Sequence, residues 1–122
     1  MRPPIDAALS GVARRWDEVT AEHIADGIER QMIVGEKLMV CRLRFRPNVE
    51  TAVHSHPHEQ ITMVEKGRVQ FTIAGKVSVF GQGDVLHFAP GVLHGATTLD
   101  EEVVLIDIFT PLREDFLPRQ DP

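Results

Sequence analysis

The chain has 122 residues, of which 43% are apolar and 25% are charged, and its net charge is −5. This composition is typical of one globular domain, and it excludes a disordered chain or two ordinary domains. No basic run exceeds two residues and no apolar run approaches the ~20 residues of a membrane-spanning helix, so we expect neither nucleic acid nor a membrane as partner.

The N-terminal segment, residues 1–27, is predicted to be an arm with irregular structure, a turn of helix or a short strand. It opens with MRPPIDAALSG, which lacks the basic-then-apolar order of a signal peptide. The only cysteine of the sequence is Cys41, which excludes an internal disulfide and favours a reducing compartment. We therefore expect a cytoplasmic protein.

Residues 28–118 contain short runs rich in Val, Ile, Phe and Thr, separated by Gly, Pro or Asp. Strands of this length and spacing predict an all-β sandwich or barrel. In the run 37–45, alternation places Cys41 on an apolar face with Met39 and Leu43, which predicts that its small side chain is buried. The predicted strands are 37–45, 60–65, 68–74, 77–80, 84–88 and 102–109, and residues 119–122 are predicted to be a C-terminal tail.

Three of the six histidines lie in the run HSHPHEQ, residues 54–60. Alternate residues of an extended strand share a face, so His54 and His56 point the same way, and Gln60 returns to that face if the strand continues. Two imidazoles and an amide oxygen make three corners of a metal site, and a fourth ligand must then come from a neighbouring strand. His94 is the candidate, since the glycine three residues before it permits a tight turn.

The other histidines have simpler interpretations. His58 shares the parity of the predicted ligands but lies in the turn at Pro57. His87 is expected to be packed or hydrogen-bonded within its strand, and His23 is expected to be exposed in a polar stretch. We do not place these three among the metal ligands.

The spacing of the predicted ligands resembles the two motifs of the cupin superfamily. In the first motif Asn48 stands at the usual Gly position, which Asn tolerates because it visits left-handed backbone. His54 and His56 follow, and Gln60 stands at the usual Glu position, before Gly67.

The second motif resembles the run from Gly83 through Gly91 to His94, with Ala89 at the usual Pro position and Thr98 at the usual Asn position. The resemblance implies a single-domain cupin, a jelly-roll barrel of the double-stranded β-helix type over residues 28–118. It also implies one divalent metal ion. The ion would be held by His54, His56, Gln60 and His94, and imidazole and amide ligands suit Fe, Mn, Ni, Co and Zn alike.

Gln60 changes the charge of the predicted centre. With a Glu ligand a divalent ion would keep a net charge of about +1, whereas with four neutral ligands it keeps about +2. Such an ion is a stronger Lewis acid and a stronger attractor of anions. We therefore expect a small anionic, sugar-like substrate that carries a carboxylate.

Asp107 lies in the middle of 102–109, a run that is apolar on both faces. Burying an unpaired carboxylate costs several kcal/mol. Asp107 therefore pairs with a cation, either Arg113 or an arginine of 42–46, or it faces a polar cavity as a general acid/base with a raised pKa. In the second case Phe109 shapes the pocket and Arg113 clamps a substrate carboxylate.

The run HSHPHEQ, together with the distal Asp107, Phe109 and Arg113, is similar to the KdgF family of small cupins, the pectin-degradation proteins. That family opens the ring of 4,5-unsaturated uronates, released from pectin or alginate, towards linear 5-keto-4-deoxyuronate. The resemblance implies an isomerase-like enzyme in which these three distal residues are catalytic. Two alternatives stay open: a metal-dependent dioxygenase acting on a small enolic or aromatic acid, and a non-catalytic cupin that binds a small molecule.

Small cupins resemble one another in dimerising through barrel faces. The apolar strand from Ile28 to Val34 could serve that contact. We therefore expect a homodimer.

Overall fold

The computed structural model describes residues 13–118, which are mainly β-strands. No helix in this part of the chain is long and apolar enough to cross a bilayer. Two short 3-10 turns, Trp16–Glu18 and Glu114–Phe116, lie before the first strand and after the last. The strands are β1 (Glu22–Ala25), β2 (Ile28–Val34), β3 (Met39–Phe45), β4 (Glu59–Lys66), β5 (Arg68–Ile73), β6 (Lys76–Gly81), β7 (Val85–Phe88), β8 (His94–Thr98) and β9 (Val103–Thr110).

The strands form two antiparallel sheets. The larger has the order β1-β2-β3-β9-β4-β7 and the smaller the order β6-β5-β8. Isolated bridges from Glu50 to Thr97 and from His54 to His94 add the extended segment 50–54 to the free side of β8. The predicted all-β class is therefore confirmed, with the strand ladders arranged as two sheets rather than one closed cylinder.

The main apolar core lies between the two sheets. Val64 of β4 and Leu105 of β9 are register partners in the larger sheet, and they share a cluster with Val69 and Phe71 of the smaller sheet. Burying each such side chain contributes about 1.5–3 kcal/mol. This packing holds the sheets together and so places their inward residues opposite each other.

The inward positions of β4 change from apolar to polar along the strand. Val64, Thr62 and Gln60 alternate with outward residues, and all three are buried. On β9, Asp107 pairs in register with Thr62, and Phe109 pairs with Gln60. The polar groups of the site are therefore a continuation of the core and not a surface feature.

A second apolar cluster forms around Met39, Cys41 and Phe109, and the C-terminal segment packs on it through Phe116 and Leu117. Cys41 is fully buried, as its alternation predicts, and desolvation raises the pKa of its thiol to about 12. The thiol therefore stays protonated and packs as a small apolar group.

Left-handed backbone occurs at the two ends of the first motif. Asn48 has a φ of 59° and Gly67 a φ of 80°. Asn48 can stand at a glycine position because Asn visits this region more readily than most residues. Gly67 is more constrained, because a Cβ there would clash with the carbonyl oxygen of Glu102.

We expect Gly67→Ala to lower the free energy of unfolding by about 2 kcal/mol or more, since backbone strain and the clash with Glu102 act together. Gly75→Ala is the matched control: its φ is 84°, but a Cβ there meets no atom within 4 Å. Urea denaturation of both metal-free variants measures the difference. Equal losses at the two positions would show that the clash is relieved by relaxation of the chain.

Candidate metal centre

The backbone holds His54 and His94 side by side. The two residues form an antiparallel bridge in which each N–H donates to the other's carbonyl oxygen at 2.9 Å. Gly95 permits this approach, because a Cβ there would lie 3.2 Å from the Cα of Val53. His56 lies two residues along the extended segment from His54, so three imidazoles converge.

The three imidazoles share one hydrogen-bonding pattern. A backbone carbonyl only accepts, so a carbonyl facing Nδ1 places the proton there and leaves Nε2 with a free lone pair. Each imidazole offers one ring nitrogen as a ligand atom, and the three nitrogens lie within 4.8 Å of one another. The Nδ1 partners are the carbonyls of Ala52 for His54 at 2.8 Å, of His58 for His56 at 3.1 Å and of Val92 for His94 at 2.9 Å.

Gln60 adds an amide oxygen to the three imidazoles. Its Oε1 lies 2.9 Å from Nε2 of His56, while its NH2 group donates to Thr62. A neutral imidazole has one N–H, yet both nitrogens of His56 face acceptor oxygens, so one contact sets lone pair against lone pair. A shared cation removes this conflict, and the donor set therefore fits a metal ion.

Burial favours the neutral form of two of the imidazoles. Desolvation, followed by the charge of Arg113, lowers the pKa of His56, and desolvation also lowers the pKa of His94. A metal ion binds the neutral form of imidazole. His54, His56 and His94 are thus placed to hold one ion.

Asp107 is adjacent to this cluster, and within residues 13–118 it forms no ion pair with an arginine. Its carboxylate accepts a hydrogen bond from the Thr62 hydroxyl at 2.7 Å. Desolvation raises the pKa of Asp107 to about 6, against the opposing effects of the hydrogen bond from Thr62, the charge of Arg113 and a hydrogen bond from Gln60. Arg42 and Arg44 lie on the outer face and pair with glutamates. Of the two alternatives for Asp107, the structure favours the polar cavity.

Arg113 is buried beside the aromatic rings of the second cluster. Its Nε and Nη2 donate to the carboxylate of Asp115 at 3.0 and 2.7 Å. The guanidinium carbon lies 4.1 Å from the ring centroid of Phe116 and 5.1 Å from that of Phe109. Asp115 uses two of the five guanidinium N–H groups, so three remain for a ligand.

The predicted residues meet at one cavity of about 250 Å³. This volume lies below the ~300–1,000 Å³ of sites for drug-sized ligands, and it suits a monosaccharide acid. His56 does not line the cavity but contacts it through Phe109, whose ring lies edge-on at 5.7 Å. The lining includes His54, Gln60, His94, Asp107, Phe109 and Arg113.

The remaining histidines lie outside this group. His58 contacts the carbonyl oxygen of Leu112 through Nε2 at 3.1 Å, which ties the turn before β4 to the C-terminal segment. His87 is exposed on β7 and contacts Glu59 at 2.6 Å, which confirms the expected hydrogen bond. His23 is exposed on β1, as expected.

Three residues of the site were not predicted from the sequence. Thr62 shares the parity of Gln60 on β4, and this signal could have identified it. Asp115 and Phe116, which hold the guanidinium of Arg113, lie in an irregular segment with no periodicity to reveal them.

Residues 41–109 match the family model described as a cupin domain, in agreement with the two sheets and the histidine cluster. The chain belongs to the cupin family. Within that family it is similar to the pectin degradation protein KdgF of Dickeya dadantii (strain 3937), with 35% identity over 103 residues that cover 83% of this chain and 94% of that protein. The similarity to KdgF that was inferred from the run HSHPHEQ and the distal residues is confirmed.

Solved structures agree with this assignment. KdgF from Halomonas sp. superposes with a TM-score of 0.83 at 26% identity, covering 88% of this chain and 100% of that one. An RmlC-like cupin from Shewanella frigidimarina NCIMB 400 superposes with a TM-score of 0.80 at 33% identity, covering 85% of this chain and 94% of that one.

We expect the protein to bind one divalent ion and His94→Ala to abolish tight binding, because the substitution removes one of the three converging imidazoles. The loss should exceed the roughly 10- to 100-fold that follows when a ligand loses only its hydrogen-bond partner. Isothermal titration with Zn²⁺ measures it, and His87→Ala is the control because His87 is exposed outside the cavity. Equal affinity in the two variants would contradict the assigned centre.

Proposed function

We propose that the chain is a metal-dependent enzyme that converts 4,5-unsaturated uronates, released from pectin or alginate, to linear 5-keto-4-deoxyuronate. The observation that carries this proposal is that a carboxyl group with a raised pKa, Asp107, shares one small cavity with the ligand cluster and Arg113. The similarity to KdgF supports the substrate class.

In this proposal His54, His56, Gln60 and His94 hold one ion of Fe, Mn, Ni, Co or Zn. When bound, the ion supplies positive charge that stabilises the substrate carboxylate and the neighbouring oxygen where negative charge develops. Imidazole and amide ligands carry no charge when they bind a metal, so the four ligands themselves do not compensate the charge of the ion, which suits an anionic substrate.

Arg113 orients the substrate through the three N–H groups that Asp115 leaves free. A guanidinium holds a carboxylate in a fixed plane, and contact with the rings of Phe109 and Phe116 limits its own rotation. Arg113 and the ligand cluster therefore bind polar groups of the same substrate from different sides, which places the ring next to Asp107.

Asp107 moves the proton. The substrate is a cyclic hemiacetal whose ring oxygen is part of an enol ether, and Asp107 takes the proton of the anomeric hydroxyl. The carbonyl forms at C1, the bond from C1 to the ring oxygen breaks, and its electrons pass into the enolate. Protonation at C4 returns the proton and gives the 5-ketone, so the step is an isomerisation. A pKa of about 6 allows both transfers near neutral pH.

We expect the protein to accelerate the loss of the ultraviolet absorbance of the conjugated enol ether, and Asp107→Asn to lower kcat about 10²- to 10⁴-fold, as for removal of a general acid/base. Asn keeps the shape of Asp and an oxygen that can accept from Thr62, so the variant should still bind the metal ion. Asp100→Asn is the control, since Asp100 is exposed.

A full rate in Asp107→Asn would overturn the role of Asp107. If neither the pectin-derived nor the alginate-derived sugar reacts faster than its spontaneous rate, the proposed function is wrong. Oxygen consumption during turnover would point instead to the dioxygenase alternative.

We also propose a homodimer formed through the outer face of the larger sheet, on the strands beyond β2 (Ile28–Val34), which the sequence suggested for this contact. Register places apolar residues in neighbouring positions across this face on β3, β9, β4 and β7, rimmed by the ion pair of Arg42 with Glu65 and by the contact of Glu59 with His87. Apolar patches with a polar rim are typical of interaction sites, and a two-fold related copy presents the same patch. The apolar residues are Val40, Ile61, Met63, Val85, Ile106 and Ile108.

We expect a mass near twice the 13.7 kDa of one chain, and Ile61→Lys to shift the protein to monomer, because the charge would be buried at the interface. Multi-angle light scattering after size exclusion measures both. Val77→Lys is the control, since Val77 is exposed on the smaller sheet. A monomeric mass for the unaltered protein would exclude the dimer.

A further inference from the structure

The Gln60 side chain must present its oxygen, and not its NH2 group, to the histidines if it is to bind a metal ion. The two ends of a carboxamide have nearly the same shape, so apolar packing does not choose between them. Gln60 is 5% exposed, and solvent therefore does not choose either. The choice depends on what the far end of the amide contacts.

Thr62 lies at that far end, and the amide also interacts with the carboxyl group of Asp107. Thr62 is fully buried, and its hydroxyl accepts from the Gln60 NH2 group at 2.8 Å and donates to Asp107 at 2.7 Å. A carboxylate only accepts, so Asp107 takes the single hydroxyl proton and leaves the lone pairs of the hydroxyl for a donor. The reversed amide would put an oxygen against this hydroxyl and the NH2 group against His56.

We propose that Thr62 is a positioning residue that selects the oxygen end of Gln60 for the metal. The proposal rests on the metal centre of the proposed function but not on the ring-opening chemistry. Thr62 does not line the cavity and acts through Gln60. All the hydrogen bonds of this series therefore point the same way. The amide NH2 group donates to the hydroxyl, the hydroxyl donates to the carboxylate, and the amide oxygen is left to bind the ion.

The same series of hydrogen bonds explains why an amide suits position 60. A carboxylate in place of the Gln60 amide would put two acceptor groups on either side of one hydroxyl, which has one proton to donate. One of the two carboxylates would then be left without that hydrogen bond in a buried place. Gln60, Thr62 and Asp107 thus form a chemically matched set.

A double-mutant cycle on the whole protein tests the proposal with Co²⁺ alone as the probe. We expect Thr62→Val to weaken Co²⁺ binding about 10- to 100-fold, as when a ligand loses its orienting partner. Its visible Co²⁺ spectrum should match that of Gln60→Ala. Thr62→Val should add no further loss in the Gln60→Ala background, because the two changes remove the same interaction.

Two variants serve as controls. Thr62→Ser keeps the hydroxyl and should restore both affinity and spectrum. Thr98→Val removes another buried hydroxyl, which bonds to the carbonyl of Arg46 at 2.7 Å, so it should lower stability and leave the Co²⁺ affinity unchanged. Where Thr62→Val does not fold, Thr62→Ala removes the same hydroxyl and takes its place in the cycle.

Wild-type affinity in Thr62→Val would overturn the proposal, as would a loss that adds fully to that of Gln60→Ala. Failure of the unaltered protein to bind Co²⁺ would overturn the metal centre and this proposal together. A protein that binds Co²⁺ and shows the expected cycle, but does not open uronate rings, would overturn the proposed function alone.

Discussion

Two backbone hydrogen bonds between His54 and His94 are the constraint on which the rest of the site depends. They join a non-regular segment to β8 at 2.9 Å, and they bring together residues 40 positions apart. Each imidazole then donates Nδ1–H to a backbone carbonyl nearby, so ring orientation is set by the main chain. A site built in this way has its lone pairs arranged before any ligand arrives, and little side-chain entropy is lost on binding.

The cavity is lined by three kinds of polar group. The histidines and Gln60 provide lone pairs, the guanidinium of Arg113 provides positive charge, and Asp107 provides a carboxyl group whose pKa is raised by desolvation. Arg113 lowers that pKa while burial raises it, so the carboxyl group remains titratable near neutral pH. Partial pairing of Arg113 with Asp115 moderates its positive charge.

Strand alternation was enough to predict the inward direction of Gln60 and of Cys41, because parity along one strand is a local property. The glycine before His94 pointed to the fourth ligand, and the motif resemblance agreed. A carboxylate in a run that is apolar on both faces pointed to Asp107 and Arg113, and the similarity to one cupin family agreed. Contacts between distant elements could not be predicted from the sequence. Thr62 contacts Asp107 because of the register in which β4 pairs with β9. The partner of Arg113 was equally hidden, because Asp115 lies in a short 3-10 turn outside any repeating pattern.

The C-terminal segment supplies one wall of the cavity. Phe116 lies 4.1 Å from the guanidinium of Arg113 and 4.2 Å from that of Arg30 on β2, and His58 contacts the carbonyl of Leu112. This wall contributes none of the three histidines of the ligand cluster, which lie in the segment before β4 and on β8. A substitution in the segment after β9 can therefore change the shape and charge of the cavity while the backbone hydrogen bonds that orient the imidazoles stay intact.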